Sequence, residues 1–403
     1  PQQEGRTSMH RSAKISALLA LALPLTACGG DASSSEAGAE GPIKIMSIAS
    51  FESSVYSIPQ LQTAIQASVD AVNKEGGIDG RKLKVSFCND KFDPNEATAC
   101  AQRAISEGVA AVVGGMTPHT AALAPVLEAA KIPFIGPGGG DGTAESEEAA
   151  FYPINAGSSA FVIAAGRLAA ERGGDKVVVV PADNASSRAS VKQAGQGIER
   201  AGGTMTEVVA PLTAADYNPT ALKVLDQKPD GVVITASGDT ATRIVSALRE
   251  NGFKGPITGP ASIVNPASIK ALGDKAEGIV LAGRGLPSSY TENKMIAQFN
   301  KEVHALKADA PIDDISLNGW LSVRALPGIL GGKKVTDGQS VIDALSDIAE
   351  PVDLFGIYSD YPGLGGDVPH KDYPRVAVFK VMPSTIKDGR IVPDGEFFDP
   401  LEG

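Results

Sequence analysis

Apolar and polar positions follow two different periods along this chain. Short, nearly continuous apolar runs alternate with helix-length stretches in which apolar residues are spaced three and four apart, as at Leu61, Ile65, Val69 and Val72. The runs are IKIMSIA, LKVSFC, VAAVVGG, IPFIGP, KVVVVPA, TMTEVVA, DGVVITA, GPITGP and EGIVLAG. Runs of this kind, each followed by a helix, are typical of parallel strands that helices cover on both faces. The pattern predicts an α/β fold with doubly wound parallel sheets.

The first 27 residues have the build of an export signal. Met9 is followed by Arg11, by Lys14 and by the apolar segment ISALLALALPLTA. This segment is shorter than the roughly 20 residues that a membrane-spanning helix needs. We therefore interpret residues 1–27 as a signal peptide, of which residues 1–8 are an extension upstream of the true start.

Residues Leu25 to Cys28 resemble the lipobox of bacterial lipoproteins. The resemblance implies that Cys28 is acylated and becomes the new N-terminus, anchored to the extracytoplasmic face of the cell membrane. The alternative is an ordinary secretory signal with an incidental cysteine. Residues 28–41 are too polar to bury a core, so we interpret them as a lipidated cysteine followed by a flexible tether.

Size and composition exclude several classes of function. About 360 residues follow the tether, which is more than one hydrophobic core usually holds, so two lobes are expected. The net charge of −11 disfavours nucleic acid and anionic lipid as partners. The four histidines and three cysteines form no H-E-x-x-H or C-x-x-C pattern, so no metal is expected.

The segment FCNDKFDPNEATAC contains the two remaining cysteines. We interpret Asp93 as an N-cap, Pro94 as the first helical residue and Glu96 as the partner in a capping box. Cys88 then ends a strand and Cys100 lies on the next helix, within reach. Export to an oxidising compartment favours a disulfide between them, and two unpaired buried thiols are the alternative.

Two loops that follow strands are candidates for a binding site, because ligands of open α/β sheets bind at the carboxyl ends of the strands. In VVGGMTPHTAALAPVL we expect Thr117 to cap a helix and Pro118 to lie in its first turn, where backbone N–H groups favour an anion. In FIGPGGGDGTAE, Gly138, Gly139 and Gly140 let a ligand contact the backbone. Each loop has a simpler interpretation as a tight turn.

Residues 42–400 resemble the type I periplasmic substrate-binding proteins of ABC transporters, in the branched-chain amino acid group. The segments that carry the resemblance are AVNKEGGIDGRKLKV, DPNEATACAQRAI, AAVVGG with KIPFIGP, DYNPTALKVL and AEGIVLAG, in this order. The family has two doubly wound lobes joined by three crossovers, and its ligand lies in the cleft between them. The lobes close on the ligand, and an ABC permease recognises the closed form.

The resemblance also implies where the lobes begin and end. The crossovers are expected near residues 155–158, near 283–285 and between about 356 and 373. The N-terminal lobe is then formed by residues 42–156 and 285–356, and the C-terminal lobe by residues 157–284 and 357–403.

The ligand of this chain is expected to differ from that of the family's amino acid binders. Those proteins hold the α-carboxylate with a hydroxyl and loop amides, and the α-ammonium with an acidic residue of the second lobe. Here three glycines replace an Ala-Ala-Thr type run, Ala261 aligns with the acid and Ser186 aligns with an aromatic residue. Asp239 is the available substitute for the missing acid. We therefore predict a small polar ligand with an anionic or carbonyl end: an amino acid, of branched-chain type, or an organic acid or amide.

The candidate ligand-binding residues are Tyr56, Thr117, Pro118, His119, Gly138, Gly139, Gly140, Asn184, Ser186, Ser237, Asp239, Ser262 and Arg284. Three large side chains have structural alternatives. Tyr56 could pack under its loop, Arg284 could form an inter-lobe salt bridge, and we expect Trp320 in the core.

Two other functions compete with solute uptake. A sensor with the same fold would close in the same way and signal to a membrane partner. A secreted enzyme is the second, but GPGGGDG lacks the third glycine of a dinucleotide fingerprint, and the chain contains no G-x-S-x-G elbow or P-loop. We therefore predict a monomeric binding protein without a cofactor or catalytic residues.

Overall fold

The computed structural model describes residues 41–54, 57–138, 146–212, 214–236 and 238–402, and of residues 185 and 186 it describes the backbone alone. The predicted signal peptide, Cys28 and almost all of the tether lie outside these residues. So do Tyr56, Gly139, Gly140 and Ser237, as well as the side chain of Ser186.

The first sheet contains five parallel strands in the order β2-β1-β3-β4-β5. They are β1 (Ile43–Ala49), β2 (Leu83–Asn89), β3 (Ala111–Val113), β4 (Phe134–Ile135) and β5 (Phe151–Tyr152). The order reverses between β1 and β3, so the loops after these two strands flank a topological switch point.

The second sheet has the order β12-β11-β10-β9-β8-β6-β7. Its strands are β6 (Lys176–Val180), β7 (Thr204–Glu207), β8 (Gly231–Ile234), β9 (Ile257–Pro260), β10 (Val280–Gly283), β11 (Met382–Lys387) and β12 (Arg390–Pro393). Strands β6 to β10 repeat the parallel order of the first sheet, with the reversal between β6 and β8. The predicted α/β fold with parallel sheets is confirmed, with an antiparallel hairpin, β11 and β12, added at one edge.

Helices cover both faces of each sheet. The described helices of five or more residues are α1 (Pro59–Lys74), α2 (Pro94–Glu107), α3 (Thr120–Ala129), α4 (Gly157–Gly173), α5 (Ala185–Arg200), α6 (Asn218–Asp226), α7 (Gly238–Glu250), α8 (Pro266–Leu272), α9 (Lys294–Leu306), α10 (Asp314–Arg324), α11 (Leu326–Leu330) and α12 (Gly338–Ser346). Every helix among the described residues is too short or too polar to cross a membrane.

Each sheet separates two clusters of buried side chains. On the first sheet, Ile45 packs with α1 and α10 on one face, and Ile48 packs with α2 and α3 on the other. On the second sheet, Val178 packs with α6 and α7, and Val179 packs with α4 and α5. Successive residues of a strand point to opposite faces, so a continuous apolar run is what a strand covered on both sides requires. Trp320 is fully buried in the first of these clusters, as predicted.

The segment between the two cysteines folds largely as expected. The Asp93 carboxylate accepts hydrogen bonds from the backbone N–H groups of Asn95 and Glu96, and Pro94 begins α2. The capping box is not formed, because the Glu96 side chain accepts a hydrogen bond from Lys91 Nζ instead, at 2.9 Å. Cys88 lies in β2 and Cys100 in α2, and their sulfur atoms are joined in a disulfide with the Cα atoms 5.6 Å apart.

Three segments connect the layers around the first sheet with those around the second. The chain passes from β5 into α4, and then from β10 to Leu286, which packs against the first sheet's core. Ile357 and Tyr361 also pack there, whereas Phe379 packs in a core cluster of the second sheet. Tyr361 is fully buried against the first sheet, so we infer that the third passage lies between Tyr361 and Phe379.

Candidate functional site

A cavity of about 400 Å³ lies between the carboxyl ends of the two sheets. Met116, which follows β3, lines it from the first sheet, and Thr235, which follows β8, lines it from the second. Both residues lie next to a switch point, where open α/β sheets bind their ligands. The volume is at the small end of the range of roughly 300–1,000 Å³ that is usual for ligand pockets.

Much of the cavity wall is apolar. Helix α4 contributes Phe161 and Val162, and α10 contributes Leu317. Leu286 and Pro260 add further apolar surface from the second crossover and from the end of β9. These side chains come from elements of both sheets, so a ligand of sufficient size contacts both halves of the molecule.

Polar side chains cluster at the beginnings of two long helices. Ser158 lies in the first turn of α4, and Ser187 and Ser190 lie in the first two turns of α5. Asn184 caps α5, and its Oδ1 accepts a hydrogen bond from the Ser187 N–H at 2.9 Å. Because helix N-termini carry a partial positive charge, the two helices favour an electron-rich group in the cavity.

Arg284 is the cationic side chain in the described part of the cavity wall. It follows β10 on the second crossover, and its Nη2 donates a hydrogen bond to the backbone carbonyl of Gly138. Its guanidinium carbon lies 5.4 Å from the centre of the Phe161 ring, which is within the range of a cation–π contact. The Nε–H group is buried and has no hydrogen-bond partner among the described residues. Arg284 thus connects the two halves and retains hydrogen-bonding capacity at the cavity.

Asp314 and Tyr358 complete the ionisable part of the described wall. The Asp314 carboxylate accepts a hydrogen bond from the Ser288 N–H at 2.8 Å and lies in the first turn of α10. Tyr358 is buried, and burial raises the pKa of its hydroxyl well above the ordinary value, although the nearby Arg284 cation partly opposes the shift. Tyr358 therefore acts as a neutral hydroxyl at physiological pH.

A buried asparagine holds Tyr358 in the cavity wall. The Tyr358 hydroxyl donates a hydrogen bond to Asn318 Oδ1 at 3.1 Å, and this oxygen also accepts one from Asn155 Nδ2 at 3.2 Å. Asn318 Nδ2 in turn donates to the carbonyl of Gly136 at 3.1 Å. One fully buried side chain thus connects α10 with the loop after β4, with the first connecting segment and with the residues that precede the third.

The first predicted loop does not reach the cavity with its predicted side chains. Helix α3 begins at Thr120, later than expected, because Thr117 Oγ1 accepts a hydrogen bond from the His119 N–H at 3.1 Å and holds a turn before the helix. Thr117 is fully buried, Pro118 is exposed, and the His119 ring packs against Phe92. The neighbouring Met116 lines the cavity in their place.

The second loop reaches the cavity at Gly138, but not with a free backbone amide. The Gly138 N–H donates to the carbonyl of Gly115 at 2.8 Å, and its own carbonyl accepts from Arg284. Gly138 therefore positions Arg284.

In the second half, the structure brings Asn184, Ser262 and Arg284 to the cavity and leaves Asp239 outside it. The Asp239 side chain is 85% exposed and faces Arg243 at 3.9 Å. It lies in the exposed first turn of α7, so it is not a substitute for a buried acid. Ala261, at the position aligned with that acid, does line the cavity.

The predicted site residues do not include Phe161, Asp314 and Tyr358. They lie in α4, at the start of α10 and shortly before the third connecting segment, and none is near in sequence to the loops that carry the glycine and hydroxyl patterns. The only local signal is the Asp-Asp pair at residues 313 and 314, which precedes an apolar helix and predicts an N-cap rather than a binding site. Among the described residues, no cluster of three or more potential metal ligands is present.

Two α/β layers with a cavity between the carboxyl ends of their sheets define a two-lobed binding protein. The chain belongs to the periplasmic binding protein family, whose sequence model matches residues 42–363. Its family and its type I fold, both predicted from the sequence, are confirmed.

The proteins that this chain resembles are named for different ligands. Over 58 residues the chain is 33% identical to the Leu/Ile/Val-binding protein BraC3 of Rhizobium johnstonii, a match that covers 14% of this chain and 16% of that protein. A fatty acid ABC transporter substrate-binding protein from Thermomonospora curvata has a TM-score of 0.70 at 20% identity, over 90% of this chain and 93% of that one.

A third relative is a solute-binding protein of an ABC transporter from Rhodopseudomonas palustris, in complex with 3,4-dihydroxybenzoic acid. It has a TM-score of 0.68 at 20% identity, over 90% of this chain and 99% of that one. At these identities, the two solved structures support the fold alone.

Proposed function

We propose that the chain is the extracytoplasmic solute-binding lipoprotein of an ABC importer, which captures a small polar solute by closing its two lobes. The observation that carries this proposal is the cavity at the carboxyl ends of both sheets, with walls from both halves. Membership of the periplasmic binding protein family supports it, since neighbours of the same fold include ABC transporter substrate-binding proteins.

The geometry supplies a mechanism for closure. A solute in the cavity contacts Met116 and Leu317 on the first side and Ser187 and Thr235 on the second. The solute therefore contacts both halves at once only when the two lobes are closed. A ligand shifts a conformational equilibrium by its difference in affinity for the two states, so these two-sided contacts favour the closed form. A permease that recognises this form would receive loaded protein.

The chemistry of the wall favours binding over catalysis. No histidine or cysteine lines the described part of the cavity, so its serines have no imidazole base there. Asp314 and Tyr358 each hold a hydrogen bond within the protein. We propose accordingly that the chain is not an enzyme.

Lipid attachment at Cys28 is part of the proposal. An acyl anchor and a tether would keep the binding domain near its permease. Replacement of Cys28 by Ala is expected to release the protein from the membrane fraction and to abolish its labelling with palmitate. Retention of both in the variant would contradict lipidation and leave the solute-binding proposal unaffected.

Uptake is tested in the natural host. The protein is purified without denaturation, the small molecules it carries are identified by mass spectrometry, and their affinity is measured by calorimetry. We expect one molecule per chain and loss of uptake of that solute in cells that lack the protein. If the solute binds but its uptake is unchanged, the protein is a sensor. If no solute is carried or bound, the proposal is wrong.

A further inference from the structure

The guanidinium of Arg284 carries unused hydrogen-bonding capacity at the cavity. An arginine side chain has five N–H donors and keeps its charge at every physiological pH. Its one described hydrogen bond goes to the Gly138 carbonyl, and its Nε–H is buried without a partner among the described residues. A permanent cation with donors left over in a forked arrangement fits a carboxylate, which can accept two hydrogen bonds from it.

The formal charges of Arg284 and Asp314 cancel in the described wall, and the helix ends at the cavity make its balance positive. Asp314 supplies the carboxylate of the described wall, but it lies in the first turn of α10 and accepts the Ser288 N–H. The helix N-terminus and the Ser288 N–H both stabilise the negative charge of Asp314. The Gly138 carbonyl and the Phe161 ring contact Arg284 in the corresponding way. The beginnings of α4 and α5 add two positive helix ends at the same cavity.

An α-ammonium group would be poorly accommodated beside Arg284. In an amino acid it is attached next to the carboxylate carbon, so a carboxylate on Arg284 would place it close to the same cation. Ala261 provides no charge at the wall, and Asp239 is exposed outside it. Asp314, the carboxylate of the described wall, already accepts the Ser288 N–H and balances the formal charge of Arg284. A buried ammonium without a counter-charge of its own is strongly disfavoured.

The rest of the cavity wall suits a ligand whose body is apolar. Phe161 lies against the Arg284 guanidinium, and Val162, Met116 and Leu317 continue this surface. Resting on the function proposed above, we propose that the ligand is a small organic carboxylate with an apolar body and no α-ammonium group. Arg284 anchors its carboxylate, and Phe161 packs against its body.

The test uses probes that share a carbon skeleton and differ in charge. Isocaproate is the anion, leucine the zwitterion and leucinamide the cation, and hydrocinnamate, phenylalanine and phenylalaninamide form a second set with a larger body. Binding is measured by calorimetry on protein freed of its carried solute. We expect an anion to bind most tightly in at least one set and the amides to bind most weakly.

Substitution of Arg284 assigns the effect to this residue. Arg284→Gln is expected to weaken binding of the anion about 30-fold or more, which is the scale of removing one partner of a buried charge pair. Arg284→Lys should recover part of the loss, since it restores charge without the fork. Arg243→Gln is the matched control, because Arg243 also contacts a carbonyl, that of Ala215, and an aromatic ring, that of Tyr217, but lies outside the cavity. It should bind like the unaltered protein.

Two contrary outcomes are distinguishable. If leucine or phenylalanine binds as tightly as its anion, or if Arg284→Gln binds the anion unchanged, the carboxylate inference is wrong while the solute-binding function stands. If the protein binds no probe and carries no solute from its host, both are wrong. Folding of each variant is checked by circular dichroism and thermal unfolding, and Arg284→Lys covers the case in which Arg284→Gln does not fold.

Discussion

Replacement of Asn318 by Leu should both destabilise the protein and weaken ligand binding. Asn318 is fully buried and makes three hydrogen bonds, with Asn155, Tyr358 and Gly136. Leucine has the same number and branching of side-chain heavy atoms and no polar atoms, so the substitution removes the hydrogen bonds without opening a cavity.

The magnitude follows from the partners that are left behind. Ser322 Oγ, which has a single proton to donate, lies nearer the Asn318 backbone carbonyl, at 2.7 Å, than the Gly136 carbonyl, at 3.3 Å. Three groups therefore lose their partner: Asn155 Nδ2, the Tyr358 hydroxyl and the Gly136 carbonyl. A buried polar group without a partner costs about 1–3 kcal/mol. We therefore expect Asn318→Leu to lower the free energy of unfolding by about 3 kcal/mol. Because Tyr358 lines the cavity, its release should also reduce ligand affinity.

Urea unfolding of four proteins measures the effect: the unaltered chain, Asn318→Leu, Tyr358→Phe and the double variant. Tyr358→Phe removes one stranded group in advance, so the double variant should be more stable than additivity predicts by about 1 kcal/mol. Asn300→Leu is the control, because Asn300 is half-buried and its amide donates to two backbone carbonyls. A loss below about 1 kcal/mol for Asn318→Leu, or strict additivity with Tyr358→Phe, would refute the reasoning.

Three further predictions concern the disulfide, two tyrosines and a helix cap. Replacement of Cys88 and Cys100 by Ser should lower the free energy of unfolding by about 3 kcal/mol in urea, and an unchanged midpoint would show that the disulfide is not formed or not stabilising. Burial raises the pKa of Tyr358 and of Tyr361, so their contribution to the stability of the fold is present below about pH 10 and is lost as the pH rises through the folded-state pKa. Absorbance titration should find both tyrosines un-ionised until the protein unfolds. Ionisation of all tyrosines near pH 10 in folded protein would count against this. Hydrogen bonds from the N–H groups of Glu96 and Asn95 lower the pKa of Asp93, so its contribution is present above about pH 4 and is lost as the pH falls through the lower folded-state pKa. Asp93→Ala should therefore melt at a lower temperature than the unaltered chain at pH 7, by a margin that shrinks in acid, and a margin independent of pH would contradict the assignment.

The parallel strands could be predicted because burial on both faces leaves a direct trace in the sequence. The runs around Ile45 and Val178 are continuous and apolar, and each forms a strand with helices on either side. The antiparallel hairpin of β11 and β12 was missed, although it carries its own signal. Asp388 and Gly389 form a two-residue turn, both with positive φ, and Asp-Gly between short alternating segments is typical of such hairpins.

The site was harder to predict, because its residues are brought together by topology. Asn184 and Ser262 follow strands of the second sheet and could be placed from the carboxyl-end rule. Asp314 and Tyr358 come from elements far along the chain, and no short pattern marks either of them. Thr117 has a suitable side chain at a suitable strand end, but its hydrogen bond to the His119 N–H turns it into the interior.

The most direct test of the account is a crystal structure of the protein purified from its natural host without denaturation. We predict electron density for one small solute in the cavity between the two sheets, with a carboxylate at Arg284 and an apolar part against Phe161. Density for a solute at another place, or a cavity filled by the protein's own side chains, would contradict the account.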